Sequence, residues 1–292
     1  MTSSDIGVGG EGDVEKGGTA VVIVNWRAPA MTSEAVQRVM GQSVQPRRIY
    51  VVDNGSGDDS PEELRRSLAS FAPRVTLLTN ADNLGFGGGC NIALRAILAE
   101  DFDYCWLLNN DAEPERDCLA RLIEAAERTP RVGAVGSRMI DPAVPGHGHF
   151  GSWLNPVTLI SYEVDDAAKL DAHKFAWLTA ASLLLSVPAL RDVGTFDEQF
   201  FMYWEDADLS MRLRAGGYKL AVAPEARVMH AAGTSSHGMK TRRYLWHFTS
   251  QRIWLRKHGP MYRVMAPWLR AKYLLKALID RDLERLRALL RA

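Results

Sequence analysis

Five short apolar runs, each but the last followed by a helix-patterned stretch, constrain this chain more than any other feature. The runs occupy residues 20–24, 48–52, 75–78, 104–108 and 132–136, and helical patterns fill 31–42, 61–71, 86–98 and 115–128. The first, second and fourth runs are apolar almost throughout rather than alternating, as in strands buried on both faces. Strand and helix in strict alternation predict parallel βαβ units, with helices on both faces of one sheet. An α/β fold is therefore expected for most of the chain.

Beyond this region the pattern loosens. Residues 141–175 mix Gly, Pro, His and aromatics, which predicts long loops and short strands. Order returns with a strand at 181–187, a helix at 205–214 and a strand at 218–223. The apolar stretch 175–190 is too short for a membrane span of ~20 residues. Ser182, Ser186 and Pro188 interrupt it, so it reads as a buried strand with its flanks. Residues 1–18 are rich in Gly and acid and read as a disordered arm, with no apolar core of a signal peptide. Cys90, Cys105 and Cys118 lack metal-type spacing and suit buried thiols in a reducing compartment, so a cytoplasmic location is expected.

Lys+Arg and Asp+Glu both number 35, so net charge gives no argument for nucleic-acid binding. The balance hides an asymmetry. From Lys240 onward there are 14 Lys/Arg against 3 Asp/Glu, leaving 21 against 32 for the remainder. The segment 241–292 reads as two or three amphipathic helices, with Trp246, Trp254, Tyr262, Trp268 and Tyr273 among the basic residues. Such helices suit an anionic membrane surface. They can equally pack on the preceding domain with a solvated basic face.

In open parallel sheets, ligands bind beyond the carboxyl ends of the strands. Four successive strand ends here carry polar residues: Asn25, then Asp53–Ser56, then Asn80–Asn91, then Asn109–Asp111. Asp53 can accept the N3–H of a uracil or thymine, or simply bond its own turn. The glycine-rich stretch 83–91, with Asn83, Gly85 and Asn91, suits close approach of a phosphate to a helix start. It lacks the G-x-G-x-x-G spacing, and it follows the third strand, which argues against a nicotinamide-dependent oxidoreductase. Asp111 can hold Mg2+ or Mn2+ against a diphosphate, or cap a helix. Asn109 and Asn110 add amide oxygens. Glu205, Asp206 and Asp208 open a helix behind the aromatic cluster 200–204. Asp208 can pair with Arg212 four residues on. Trp204 beside a carboxylate suits sugar binding, and burial there would raise the pKa of a general base. His230 can complete a metal site with Asp111.

Taken together, these segments resemble inverting glycosyltransferases of family 2, over roughly residues 19–236. The carriers are VVIVNW at 21–26, VVDNGS at 51–56, NLGFGGGCN at 83–91, LLNND at 107–111, VGTFDEQFF at 193–201 and EDADL at 205–209. They closely resemble the branch that includes bacterial rhamnosyltransferases of cell-surface polysaccharide assembly. This resemblance implies a GT-A fold over 19–240, a mostly parallel sheet flanked by helices, with 241–292 as a helical appendage. It implies that Asp53 recognises the base and that Asp206 is the catalytic base. It also implies that Asp111, the last position of a D-x-D motif whose first position is Asn109, holds the metal, and that His230 contacts the metal or the diphosphate. Asn25, Asn83, Gly85, Asn91, Asn109 and Asn110 would line the nucleotide. Trp177, Trp204 and Glu205 would line the sugar or acceptor pocket. Ala180 stands where the family usually has glycine and would narrow that pocket. The implied reaction moves one sugar from a dTDP- or UDP-sugar, dTDP-L-rhamnose above all, to a glycan or polyprenyl-diphosphate-linked acceptor. A non-catalytic relic that binds nucleotide sugars is disfavoured by the intact Asp111 and Asp206.

Overall fold

The computed structural model describes residues 17–144, 146–230, 240–259 and 261–291. The arm expected at the start of the chain lies almost entirely outside the described residues. The first half alternates as the apolar runs predict: β1 (Thr19–Asn25), α1 (Pro29–Met40), β2 (Arg48–Asn54), α2 (Ser60–Ser67), β3 (Val75–Asn80), α3 (Gly85–Ala99), β4 (Tyr104–Leu108), β5 (Ala112–Pro114), α4 (Cys118–Glu127) and β6 (Val132–Ile140). Short strands follow: β7 (Gly148–His149), β8 (Gly151–Leu154) and β9 (Ser161–Val164). Next come α5 (Ala167–Ala172), β10 (Ala176–Leu178), β11 (Ser182–Ser186), α6 (Val187–Val193), α7 (Glu205–Ala215) and β12 (Lys219–His230). Three helices close the chain: α8 (Lys240–His258), α9 (Tyr262–Ile279) and α10 (Leu283–Arg291).

The main sheet runs β3-β2-β1-β4-β11-β6-β12-β5, with β7 on the β6 edge. The four strands β3-β2-β1-β4 are parallel. The sheet is mostly parallel, as expected, and β11 inserts antiparallel between β4 and β6. β6 pairs in parallel with β12, and β5 closes the edge antiparallel. The stretch 175–190 is not one strand. Its first part, β10, joins β8 and β9 in a second, three-stranded antiparallel sheet.

Alternate strand residues feed two cores. Ala20, Val22, Tyr50 and Val52 face Ala93, Leu94 and Ile97 of α3 and Leu209 of α7. Val21, Ile23, Ile49 and Val51 face Val36 and Val39 of α1 and Leu119 and Leu122 of α4. Double-faced burial is what the unbroken β-branched runs of β1 and β2 require. A third core unites Trp177, Phe200, Trp204 and Met211 with Phe248, Trp254, Leu269 and Tyr273 of the closing helices. No helix among the described residues is long and apolar enough to cross a membrane.

Candidate active site

The polar residues expected at the strand tips fall into two groups. The first is a buried hydrogen-bonded chain across β1, β2 and β4. Asn110 Nδ2 donates to Thr32 Oγ1 (3.0 Å), and Thr32 Oγ1 donates to Asn25 Oδ1 (2.8 Å). Asn25 Nδ2 donates to Asp53 Oδ1 (2.7 Å), which also accepts from Ser56 Oγ (2.6 Å). Parallel pairing of β1 with β2 places Asn25 directly beside Asp53. Asp53 is thus 1% exposed and holds its own turn, with only the longer Ser56 N–H bond (3.3 Å) on Oδ2. Thr32 and Ser56 were not singled out from the sequence. Ser56 lies in the quoted turn, and Thr32 opens the helix after Asn25, the one hint available.

The glycine-rich stretch packs rather than opens. Gly85 has φ +76°, and a Cβ there would meet the Phe201 carbonyl at 1.8 Å. That carbonyl accepts the Phe86 N–H (3.0 Å), while Asn83 Oδ1 accepts the Gly85 N–H (2.8 Å). The Gly85 and Phe86 amides at the start of α3 are therefore bonded within the protein. Gly87 and Gly89 let α3 lie against Phe196 and against Val24 and Asn54. Asn91 is also turned to the fold. Its Nδ2 donates to Phe196 O (2.9 Å) and Glu198 Oε1 (3.0 Å), and its Oδ1 accepts from Phe196 N (3.1 Å). Both amide protons of Asn91 are thereby used within the fold.

The second group stands at the β4–β12 edge. Antiparallel pairing of β5 with β12 sets His230 opposite Ala112, next to Asp111. His230 Nε2 lies 3.2 Å from Asp111 Oδ1 and 3.4 Å from Asn109 Nδ2. An octahedral cation with ligands at about 2.1 Å sets neighbouring ligands about 3 Å apart, so this pair fits two adjacent positions. Among the described residues no third His, Cys, Asp or Glu joins them in a cluster.

The turn between β10 and β11 links this edge to α7. Asn109 N–H donates to Ala181 O (2.9 Å), and Ala180 N–H donates to Asp206 Oδ2 (3.3 Å). Asp206 Oδ1 accepts the Ala207 N–H (2.8 Å). Burial outweighs these bonds and pushes the Asp206 carboxyl up to about 6. Glu205 is 6% exposed, and its Oε2 has no hydrogen-bond partner. Burial, then the neighbouring Asp206, pushes Glu205 well above the carboxylate range.

Tyr203 and Trp204 enter α7 in the left-handed region, at φ +69° and +70°. Non-glycine residues held there carry strain of about 1–2 kcal/mol each. Trp204 and Trp177, expected to wall an open pocket, are 3% and 8% exposed. Their rings pack together at 5.1 Å, and Trp204 packs on Trp254 of α8 at 5.4 Å. Both are core residues of the seam with the closing helices. Asp208 makes the expected ion pair with Arg212 (2.8 Å) but is wholly buried and also takes Lys257 (2.6 Å) and His258 (2.8 Å) from α8.

Comparison with known proteins gives the family and the fold. The Glycosyl transferase family 2 model matches residues 20–184, and the Glycosyl transferase family group 2 model matches 104–279. An N-acetylglucosaminyl-diphospho-decaprenol L-rhamnosyltransferase of Mycobacterium tuberculosis is 29% identical over 77% of this chain and 80% of its own. Galactofuranosyltransferase GlfT1 of the same organism is 31% identical over 73% of this chain and 70% of its own. Rhamnosyltransferase WbbL of Escherichia coli is 24% identical over 57% and 68%. The mannosyltransferase PcManGT of Pyrobaculum calidifontis, solved with GDP-Man and Mn2+, superposes with TM-score 0.60 at 19% identity, over 91% of this chain and 76% of that one. TarS of S. aureus with UDP-GlcNAc gives 0.55 at 12% identity, over 93% and 79%. The fold is GT-A.

Proposed function

The chain belongs to glycosyltransferase family 2, a rhamnosyltransferase-like branch of it, and on that premise we propose a single-sugar, inverting transfer with Asp206 as the base. One observation carries the reading. The 179–181 turn bonds Asn109 on one side and Asp206 on the other, so base and Asp111–His230 pair share one sheet edge. The donor is a dTDP- or UDP-sugar, with dTDP-L-rhamnose favoured by the resemblance to rhamnosyltransferases. Asn25, Asp53, Asn109 and Asn110 form the nucleotide side. Their prior hydrogen bonding means that base recognition at Asp53 exchanges a Ser56 contact for the N3–H of the base. Asn83 and Gly85 shape that wall through the 201 segment rather than by contact.

Asp206 takes the proton of the acceptor hydroxyl as its oxygen bonds the anomeric carbon, and the bond from that carbon to the diphosphate breaks on the opposite side. A carboxyl near 6 is ionised at neutral pH and remains basic enough for this task. Asp111 and His230, 3.2 Å apart, are the residues that would hold Mg2+ or Mn2+ beside the diphosphate. Such a cation, when bound, neutralises the charge growing on the departing nucleoside diphosphate. Glu205, Trp204 and Trp177 hold the α7 entry in place and do not touch the sugar.

The acceptor is a glycan or polyprenyl-diphosphate-linked glycan, reached at a membrane surface. The observation behind the membrane is an outward stripe on α9. Val264, Trp268, Leu275, Leu278 and Ile279 are 53–71% exposed at helical spacing, with Arg263, Arg270 and Lys276 beside them. Asp206→Asn tests the base. Transfer should fall by about 10²–10⁴ while nucleotide binding persists. Unchanged transfer would assign the base elsewhere.

A further inference from the structure

A cavity of about 600 Å3 opens among α8, α9, α10 and the β8–β9 connection, outside the strand-tip site. Five of its lining residues are cations, Lys240, Arg243, Lys272, Lys276 and Arg285, and none is acidic. Their pairing differs. Arg285 is tied to Asp280 and Asp282, and Lys276 reaches Asp280 at 3.6 Å. Among the described residues, Lys240, Arg243 and Lys272 have no carboxylate partner. Arg243 Nε donates to Tyr203 Oη (3.2 Å), and Lys272 Nζ donates to the Leu159 carbonyl.

Three cations gathered without a counter-charge repel one another, and Lys272 is half-buried as well. Burial lowers its pKa. Such a cluster is stabilised by a compact polyanion with several acceptor oxygens. The Tyr203 hydroxyl accepts from Arg243 and keeps its own proton to donate to the same ligand. His247 Nδ1 lies 2.6 Å from Tyr273 Oη, which donates to Gln251 Oε1 (3.0 Å), and 3.4 Å from the Trp204 indole nitrogen. Burial, and then Lys272, depress its pKa to about 4, which keeps it neutral at physiological pH.

Two neighbours narrow the class of polyanion. Tyr203 lines the cavity and stands three residues before Asp206. Lys272 and Lys276 share α9 with Leu275, Leu278 and Ile279 of the exposed stripe. A ligand with a polyanionic head, an apolar tail and a sugar facing α7 satisfies all three surfaces. We propose that this cavity binds the diphosphate of the lipid-linked acceptor, with Lys240, Arg243 and Lys272 as its cationic ligands. The inference rests on the reading of the chain as a transferase to such acceptors.

Calorimetric titration of the whole chain with farnesyl diphosphate, a short prenyl diphosphate, tests it. One molecule should bind per chain. K240Q/K276Q, two exposed positions, and R243Q should each weaken binding by roughly tenfold or more. Thermal midpoints near the parent's will show that both variants are folded. Affinity unchanged in both variants overturns the proposal. Inorganic diphosphate binding as tightly as farnesyl diphosphate would make this a free-polyphosphate site and overturns it too. Equally tight binding of soluble dihexanoyl-phosphatidylglycerol would assign the cavity to phospholipid headgroups, again overturning it. A thermal shift with dTDP or UDP is the independent arm. If it persists while farnesyl diphosphate fails, only this subsite falls. If farnesyl diphosphate binds and no nucleotide does, the transferase reading falls.

Discussion

Asp206 and Glu205 are adjacent carboxyls with opposite prospects. Asp206 keeps three things a base needs: partial exposure, two backbone N–H donors and a pKa of about 6. Glu205 is sealed against α3 beside Gly87 with one oxygen unpartnered, and burial, then Asp206, pushes its pKa well up. Glu205→Gln should therefore leave transfer within about twofold, where Asp206→Asn should lower it by about 10²–10⁴. Equal losses in both would put Glu205 in the chemistry. The pH profile follows from the same group. Transfer should be flat above pH ~6 and fall about tenfold per unit below it, as the base is protonated. The sign for stability is reversed. A carboxyl raised in the fold contributes stability below its unfolded pKa and loses it as pH rises through about 6. Asp206→Asn fixes the neutral form, so its thermal midpoint at pH 7.5 should rise by roughly 2–4 °C. A fall would mean that the Ala180 and Ala207 bonds outweigh burial. At this scale the sequence identified carboxylates by type and place but not by surroundings. Asn91 shares its motif with Asn83, yet only the folded chain brings the Phe196 backbone to it.

Elements were legible where a local period reports them. The strands β1, β2 and β4 and the helices α1 to α4 stand close to where apolar runs and turn residues placed them. Direction was not legible. β11 carries the same apolar run as a parallel strand, and its antiparallel insertion between β4 and β6 follows from long-range pairing. That insertion brings Ala180 to Asp206 and Ala181 to Asn109. The glycine-rich start of α3 was only half legible for a related reason. Glycine permits close approach, and the sequence does not say whether a phosphate or a carbonyl approaches. Here it is the Phe201 carbonyl, so Gly85 is required twice, for φ +76° and for space. Gly85→Ala should destabilise the chain by about 2–4 kcal/mol, read as a lower urea midpoint. Transfer should fall with it, because the 201–204 segment leads directly into α7. A variant as stable as the parent would show that this segment shifts freely.

The basic closing helices join the rest through both a core and a buried ion cluster. Burial alone would raise the Asp208 pKa, but bonds from His258, Lys257 and Arg212 hold it well below the carboxylate range. Its stabilisation is therefore present above the unfolded pKa and persists until pH falls through that depressed value. Asp208→Ala leaves these cations facing a buried gap and should cost about 3 kcal/mol, measured by denaturant titration. A loss near zero would mean that Asp197, the other partner of Lys257, suffices to hold α8. Composition showed that this segment is basic and amphipathic, without showing which face is covered. The structure divides the two roles: Trp254, Leu269 and Tyr273 face the protein, while Val264, Trp268, Leu275, Leu278 and Ile279 face outward. An apolar stripe this exposed, flanked by cations, suits the boundary of anionic headgroups and acyl chains. Trp268 and Leu275, about half out of water on binding, contribute roughly 1 kcal/mol each by area. The double substitution Trp268→Glu and Leu275→Glu also adds two negative charges near the surface, about 1 kcal/mol apiece. Together they should weaken sedimentation with phosphatidylglycerol vesicles by two orders of magnitude or more, about 3–4 kcal/mol. Binding of the parent chain should also weaken as salt is raised, because part of the attraction is screened. If vesicle binding is unchanged while the parent chain dimerises and the double variant does not, the stripe is an interface between copies, and the acceptor must be reached by another face.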